Sequence, residues 1–558
     1  MDDNKILVTN TAIIVNDYKL GDAPSLEDPF KVWDPITHKL NMFGIYYDTD
    51  NKRLYLPAGM DLWRVRKALN KQYYKRIQNT PFKTIDINMK YPPRDREQIE
   101  SLKFTCGLDE YGDNLYCPSL SINLATGKGK TYCSIATIAY YKIKSIIITG
   151  SNSLLSQWKD EIVKYTSLDE NQILQISGTP MINMIFSGKS NKANNAAVYL
   201  VSHGTIYSYA NQYGWDKINQ LFTYLGIGLK FYDEAHTFYE NILMTDYFTN
   251  VYKTFYVTAT PGRSARSENF IYKISMKNIP SIDLFDEEKD PHTAYVALKY
   301  NSHPTPQQVS ACKGKYGLDR MKYIDYITKN PNFYAMLRIV MELVLKCNGR
   351  VLMYIGTNEG ILRVYHWIAT NYQEFMGDIG IFTSLVSSEE KLEEKKKRLL
   401  LSTTKSAGLG EHIEGLKMTI ILAEPFKSDI LAKQSLGRTR DNNTTYIELV
   451  DIGFMYTKKY YLDKLPTFNK YATSVSDTLI DSYELKRRSE NIINERNSLG
   501  ENPFIFYDKR FDFSDAAKSN GTLEDTNPEQ RIERDKYSIS DNSFLKPKLS
   551  YSDLKHRQ

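Results

Sequence analysis

The stretch from Ser119 to Lys142, SLSINLATGKGKTYCSIATIAYYK, constrains this chain more than any other. Leu120, Ile122 and Leu124 alternate over its opening, Ala-Thr-Gly-Lys-Gly-Lys-Thr follows, and the remainder is apolar at helical spacing. That order predicts strand, glycine loop and helix, the setting in which a loop binds phosphate. Bare loop N–H groups and the helix N-terminus cradle anionic oxygens. The predicted cradle is Ala125, Thr126, Gly127, Lys128 and Gly129, with Lys130 in reach of the β/γ-phosphates of ATP. The Thr131 hydroxyl is a candidate Mg2+ ligand. Gly127 and Gly129 admit backbone where a Cβ would clash. Leu124 stands where the pattern G-x-x-x-x-G-K-S/T has glycine.

A chain of 558 residues exceeds what one core supports, so about three domains are expected. Apolar content of 42% with 25% charged residues fits the soluble globular class. No run of about 18 apolar residues predicts a membrane span, and the acidic start MDDNKILVTN does not read as a signal peptide. Five cysteines without a C-x-x-C predict free thiols in a reducing, cytoplasmic setting and no zinc. A net charge of +6 permits a polyanionic partner. Abundant Tyr, Lys, Asn and Ile fit an AT-rich genome, such as a viral one.

Before the loop, MFGIYYD (Met42 to Asp48) and RLYLPAG (Arg53 to Gly59) read as strands of a small α+β unit. A helix is predicted next, carrying Trp63, Val65 and Leu69 with basic Arg64, Arg66, Lys67, Lys71, Lys75 and Arg76. With Tyr73 and Tyr74 interleaved, its basic face suits either phosphates and bases or plain solvent. YPPRDREQ then opens a charged helix; Gln98 in it reads either as an adenine reader or as an exposed helix glutamine.

Past the loop, strands and helices alternate, the signature of a mainly parallel sheet. SIIITG, AAVYLVSH, LKFYDEAH and TFYVTATP are strands ending in polar residues, and ligands in such sheets sit beyond strand carboxyl ends. Lys130, Asp233, Glu234, Thr258 and Thr260 fall there. Asp233 is placed to hold Mg2+ and Glu234 to polarise the attacking water. The Thr258 and Thr260 hydroxyls are candidates to sense that acidic pair. Residues 262 to 290 read as a polar connection. RVLMYIG, IGIFTS, RLLLSTT, MTIILAE and TYIELVD then form a second strand series, with SSEEKLEEKKKR as a solvated helix. In that half a glycine-rich loop, Thr403 to His412, follows a strand, and QSLGRTR offers arginines for transition-state charge on a γ-phosphate. Beyond Gly500 the chain is polar and reads as a flexible tail.

Over roughly Tyr91 to Asp451 this series resembles the superfamily 2 helicases of the DEAH-box type. ATGKGKT matches their motif I, DEAH motif II, TATP motif III, Thr403 to His412 motif V and QSLGRTR motif VI. Thr149 to Ile162, with Gln157-Trp158, is similar to motif Ia of XPB-like, RecG-like and UvsW-type phage helicases, although Trp158 reads as helix packing. The layout, a small N-terminal unit before this core, is closest to the UvsW type. GLGEHI is shared with chromatin-remodelling ATPases of the superfamily.

The resemblance implies an α/β fold with two tandem RecA-like domains behind a small α+β domain. The expected limits are 1–90 for the accessory domain, 91–285 and 286–480 for the RecA-like domains, and 481–558 for a helical extension and tail. It further implies ATP and Mg2+ as cofactors and nucleic acid, DNA before RNA, as partner. Gly408 and Gly410 enter as nucleotide-binding residues, and His236 and Gln434 as coupling residues beside Thr258 and Thr260. The motif VI pattern would place arginine at 441, where Asp441 stands, so either Arg438 or Arg440 is the γ-phosphate arginine. Thr149 to Ser153, His203 to Thr205, Gly356 to Asn358 and Thr403 to Thr404 are the implied nucleic-acid backbone contacts. Three activities fit: a DNA helicase remodelling branches, a duplex translocase, and a scaffold without turnover. RNA remains open as substrate because nothing reads a 2′-hydroxyl.

Overall fold

Seven short strands come first: β1 (Ile6–Val8), β2 (Ala12–Val15), β3 (Lys31–Asp34), β4 (Lys39–Met42), β5 (Tyr46–Asp48), β6 (Arg53–Pro57) and β7 (Lys75–Arg76). In this computed structural model the described residues are 5–498, apart from 35–38, 126, 260, 263–265, 285–292, 315–316, 376, 387–389, 408–412, 427–431, 433–435 and 437–442. The chain divides into two compact units, whose main segments are Met1–Phe285 and Asp286–Lys536.

In the first unit β5-β6-β2-β1-β7 make one sheet, antiparallel except for β1 with β7, and β3 and β4 form a separate hairpin. Ile6, Ile13, Val15, Leu54 and Leu56 are buried, yet they close no core alone. The same cluster takes in Tyr239, Leu243 and Tyr247 of the helix Tyr239–Phe248 and Ile271 and Tyr272 of the helix Arg266–Ser275. Thr11 Oγ1 donates to the Asp246 carbonyl at 2.8 Å, and the Tyr247 hydroxyl to that of Gly44 at 2.7 Å. The basic helix is shorter than its sequence suggests. Asp61 caps it, it runs Leu62–Ala68, and Asn70 at φ +50° breaks it. Lys75 and Arg76 are instead strand β7, while Tyr73 and Tyr74 are exposed in the connection.

The first large sheet comprises β8 (Ser119–Leu124), β9 (Ser145–Thr149), β10 (Ile173–Ile176), β11 (Val198–Ser202), β12 (Leu229–Asp233), β13 (Lys253–Thr258) and β14 (Ser281–Leu284). Its order is β10-β11-β9-β12-β13-β8-β14, every pair parallel. Alternate residues feed opposite cores: Ile147 faces one, Ile146 and Ile148 the other. The span read as a connection is therefore not one. It supplies the helix Arg266–Ser275 and the edge strand β14, bound to β8 through Asn123 Nδ2 donating to Asp283 Oδ1 at 2.6 Å. SIDL escaped notice because an edge strand buries Ile282 while exposing its polar neighbours.

The second unit repeats the plan with β15 (Thr293–Tyr300), β18 (Arg350–Ile355), β19 (Ile379–Phe382), β20 (Leu399–Ser402), β21 (Leu416–Ala423), β22 (Thr444–Asp451) and β23 (Ser474–Leu479). A two-residue hairpin, β16 (Lys313–Gly314) with β17 (Gly317–Leu318), stands apart. The order β19-β20-β18-β21-β22-β15-β23 is again all parallel. Val351, Met353 and Ile355 enter one core, Leu352 and Tyr354 the other. The helix Ser482–Ser498 buries Leu485 and Ile492 in the first of these, beside Phe333 and Leu337. These are two RecA-like domains with a small N-terminal region. The tail past Gly500 lies outside the described residues.

Candidate functional site

β8 leads into the phosphate loop, and the sheet order puts β13 between it and β12, so the ends of β8, β13 and β12 lie side by side. Gly127 and Gly129 both take φ +87°, a left-handed backbone that glycine adopts without a steric penalty. Lys128 N–H donates to the Ala125 carbonyl at 3.2 Å, and its ammonium reaches Glu97 at 3.1 Å. The helix Lys130–Tyr141 follows at once, giving Lys130 and Thr131 its first two positions. Thr126 lies outside the described residues.

Gln98 is buried against this loop, which overturns the reading of it as an exposed glutamine. Asp95 caps its helix, and Gln98 Oε1 accepts the Arg94 N–H at 2.8 Å. A Cβ on Gly129 would stand 2.3 Å from Gln98 Nε2.

The acidic pair comes off β12. Lys130 Nζ meets Glu234 Oε1 at 3.2 Å with both side chains largely enclosed. Burial, together with the charge of Glu234, pushes Asp233 up to about 6, against the pull of Lys130 and a hydrogen bond from Trp158. Glu234 itself sits at φ +49°, unusual for a residue with a long side chain, and turns the chain sharply behind the strand. His236 is buried; its Nδ1 lies 2.7 Å from Thr258 Oγ1 and 3.5 Å from Glu234 Oε2. The structure thus brings together Lys130, Asp233, Glu234, His236 and Thr258. Thr260, Gly408, Gly410, Gln434, Arg438 and Arg440 lie outside the described residues.

Thr131 and Asp233 offer a hydroxyl and a carboxylate, hard oxygen donors suited to Mg2+. Among the described residues no group of three or more His, Cys, Asp and Glu is placed to hold a metal ion. Such a sparse donor set fits a cation that keeps most of its waters and takes the rest of its shell from phosphate.

Three contributors went unread in the sequence. Trp158 does pack, as expected, but its indole also donates to Asp233 Oδ2 at 3.1 Å. Phe238 stacks on His203 at 5.1 Å and fills the space beside Gly150, where a Cβ would stand 2.8 Å from its ring. It thereby joins the acidic turn to two of the implied nucleic-acid segments. In the second unit buried Glu424 accepts from Thr404, N–H at 2.8 Å and hydroxyl at 2.5 Å, and pairs with Arg320 at 3.2 Å. MTIILAE carries the same signal as the strand before Asp233, an apolar run ending in an acid; nothing marks Phe238.

Residues 96–263 match the family described as "Type III restriction enzyme, res subunit". Over 190 residues the chain is 25% identical to the "Putative DNA 3'-5' helicase Rad25" of Haloarcula marismortui. That match takes in 34% of this chain and 26% of the relative, so the chain spans about a quarter of that protein's length. Among solved structures it is similar to T4 UvsW, with a TM-score of 0.32, 15% identity, and 85% of this chain and 99% of that one covered. S. cerevisiae Dbp5 bound to RNA and ADP BeF3 gives 0.45 and 13%, with 71% and 97% covered. The stretch that matches this family holds Gln98, the phosphate loop, the acidic pair and Thr258.

Proposed function

We propose that this chain is an ATP-dependent DNA helicase of the DEAH-box type that translocates on DNA and remodels branched molecules. The observation that carries the reading is Lys130, after the β8 loop, at 3.2 Å from Glu234, which follows Asp233 at the end of β12. A cation and two carboxylates held there suit phosphoryl transfer to water, which needs positioning and charge stabilisation more than covalent chemistry.

Without nucleotide, Lys130 neutralises Glu234. Phosphate arriving in the cradle draws the Lys130 ammonium away, and Glu234 is then free to accept a proton from water. Mg2+, when bound, screens the phosphate charge. Thr131 and Asp233 hold it, and Gln98 reads adenine. Arg438 and Arg440 are the proposed transition-state cations. His236 relays the state of Glu234 to Thr258 through the 2.7 Å contact. Backbone contacts at Thr149–Ser153, His203–Thr205, Gly356–Asn358 and Thr403–Thr404 carry little sequence information, so binding is sequence-independent and salt-sensitive. The composition supports a phage source and action in the host cytoplasm.

The test is ATP hydrolysis by the purified protein alone and with single-stranded, duplex and forked DNA and RNA. Strongest stimulation by forked DNA, with strand separation, supports the proposal. Plain duplex with no unwinding makes it a translocase, RNA alone overturns the substrate, and no hydrolysis anywhere overturns the reading.

A further inference from the structure

Trp158 is a buried group that the mechanism above leaves unused. It lies in the helix Ser153–Tyr165 and packs in the core of the first large sheet with Leu154, Leu155 and Ile162. Packing explains the ring and not the N–H. A buried donor with no acceptor is costly, and an indole has one donor and nothing to accept with. This N–H reaches 75 residues along the chain to Asp233 Oδ2, at 3.1 Å.

The choice of acceptor matters. Asp233 ends β12 on the side where the phosphate loop begins, and a carboxylate offers about four lone-pair directions. One of these is fixed by a ring that cannot rotate within its packing. That bond and a hydrogen bond from the Glu234 backbone restrain the carboxylate, with Oδ1 unused by the indole. Lys130 reaches Glu234 and His236 reaches Thr258, so neither ties down Asp233 in that way.

We propose that Trp158 is a positioning residue that orients Asp233 for Mg2+ through its indole N–H. This rests on the assignment of Asp233 as the Mg2+ carboxylate made under Proposed function. Partners that orient metal-binding side chains typically change metal affinity by about 10- to 100-fold when lost.

Trp158→Phe keeps the aromatic ring and removes the donor. Binding of N-methylanthraniloyl-ADP to the full chain is followed across a Mg2+ titration, with the unfolding midpoint recorded in parallel. The half-saturating Mg2+ concentration is expected to rise about tenfold, while binding without Mg2+ and the unfolding midpoint stay at wild-type values. An unchanged Mg2+ requirement overturns the inference. So does an equal loss of binding with and without Mg2+ accompanied by a lower midpoint, which is a packing effect. A second measurement does not depend on the Phe variant folding. The chain has five tryptophans, hence five indole N–H resonances. One of them should move both when Mg2+ is added to the ADP-bound protein and in Asp233→Asn, and no common shift overturns the inference. Should the wild type bind nucleotide with no dependence on Mg2+, the assignment of Asp233 fails first and the inference with it. Should the wild type depend on Mg2+ while Trp158→Phe does not differ, only the inference fails.

Discussion

Gly129→Ala probes the packing of the phosphate loop against Gln98. Gly129 caps the loop helix at φ +87°, ψ +35°, where an L-residue pays about 1–2 kcal/mol. Its new Cβ would also stand 2.3 Å from Gln98 Nε2. The far end of a glutamine ordinarily swings away at little cost, but this one is 3% exposed and holds the Arg94 N–H at 2.8 Å through Oε1. Displacing it breaks that hydrogen bond and strands a buried amide, adding about 1–3 kcal/mol. The total is about 3 kcal/mol. For a unit of this size each kcal/mol lowers the midpoint by about 2–4 °C, so calorimetry of the full chain should show the first unit's transition falling by about 6–12 °C. In a Gln98→Ala background the obstacle is gone and only the backbone term remains, so the same substitution should cost about 1–2 kcal/mol. The two changes are then coupled by at least about 1 kcal/mol. If Gly129→Ala costs the same in both backgrounds, to within about 0.5 kcal/mol, the close approach of Gln98 is refuted.

Three further outcomes are expected. Glu234→Gln should still bind N-methylanthraniloyl-ATP while single-turnover hydrolysis drops about 10²- to 10⁴-fold, and wild-type hydrolysis would sink the base assignment. Asp246 accepts from Lys230, Tyr232 and Tyr256, all buried, so Asp246→Ala should destabilise the first unit by about 3–5 kcal/mol in urea. Adding Lys230→Met should recover most of that loss, and its failure to do so would mean the lysine's lost partner is not the cause. His203 is stacked on Tyr232 and Phe238, and burial pushes its pKa down from 6.5 to about 3. The unfolded chain therefore binds the proton more tightly, and stability should fall as pH drops below about 6.5, by about 2 kcal/mol at pH 5. Urea midpoints between pH 8 and pH 5 should show that loss and His203→Phe should lose the slope; an equal slope in the variant assigns it to other groups.

The legible parts of this chain were those where one residue pattern admits one conformation. Fully buried parallel strands such as SIIIT and RVLMYI announce themselves, and glycine spacing marks the phosphate loop. Polar edges were not legible. β14 shows one buried residue and three with some exposure, so it read as part of a connection, and β23 (SVSDTL), mostly exposed, drew no reading, although each completes a sheet. The basic helix was drawn too long because Lys71, Lys75 and Arg76 continue its charge, whereas Asn70 and the pairing of Leu7 with Lys75 decide where it stops. Lysine in a strand was likewise silent: Lys230 and Lys253 are buried in β12 and β13, satisfied by partners far along the chain. The same holds at the site. Lys130, Asp233 and Glu234 follow from motif and spacing, while Trp158 and Phe238 act through contacts across 75 and 35 residues, Trp158 to Asp233 and His203 to Phe238.

The turn at Glu234 shows how such contacts serve chemistry. A left-handed glutamate is unfavourable by about 1–2 kcal/mol and persists only where its surroundings over-determine it. Here Ala235 N–H donates to the Val257 carbonyl at 3.0 Å and Thr237 N–H to the Glu234 carbonyl at 2.8 Å, fixing the backbone on both sides. The carboxylate is thereby held over the loop helix, where Lys130 meets it, rather than extended along β12. Because the cation that neutralises Glu234 is the one proposed to bind phosphate, the proposed base is exposed by the arrival of its substrate. Without nucleotide, a water near Glu234 meets a carboxylate already paired with Lys130. His236 Nδ1 faces both Glu234 Oε2, at 3.5 Å, and Thr258 Oγ1, at 2.7 Å. In the proposed function, the exchange of that ion pair would reach the end of β13 through this one ring nitrogen.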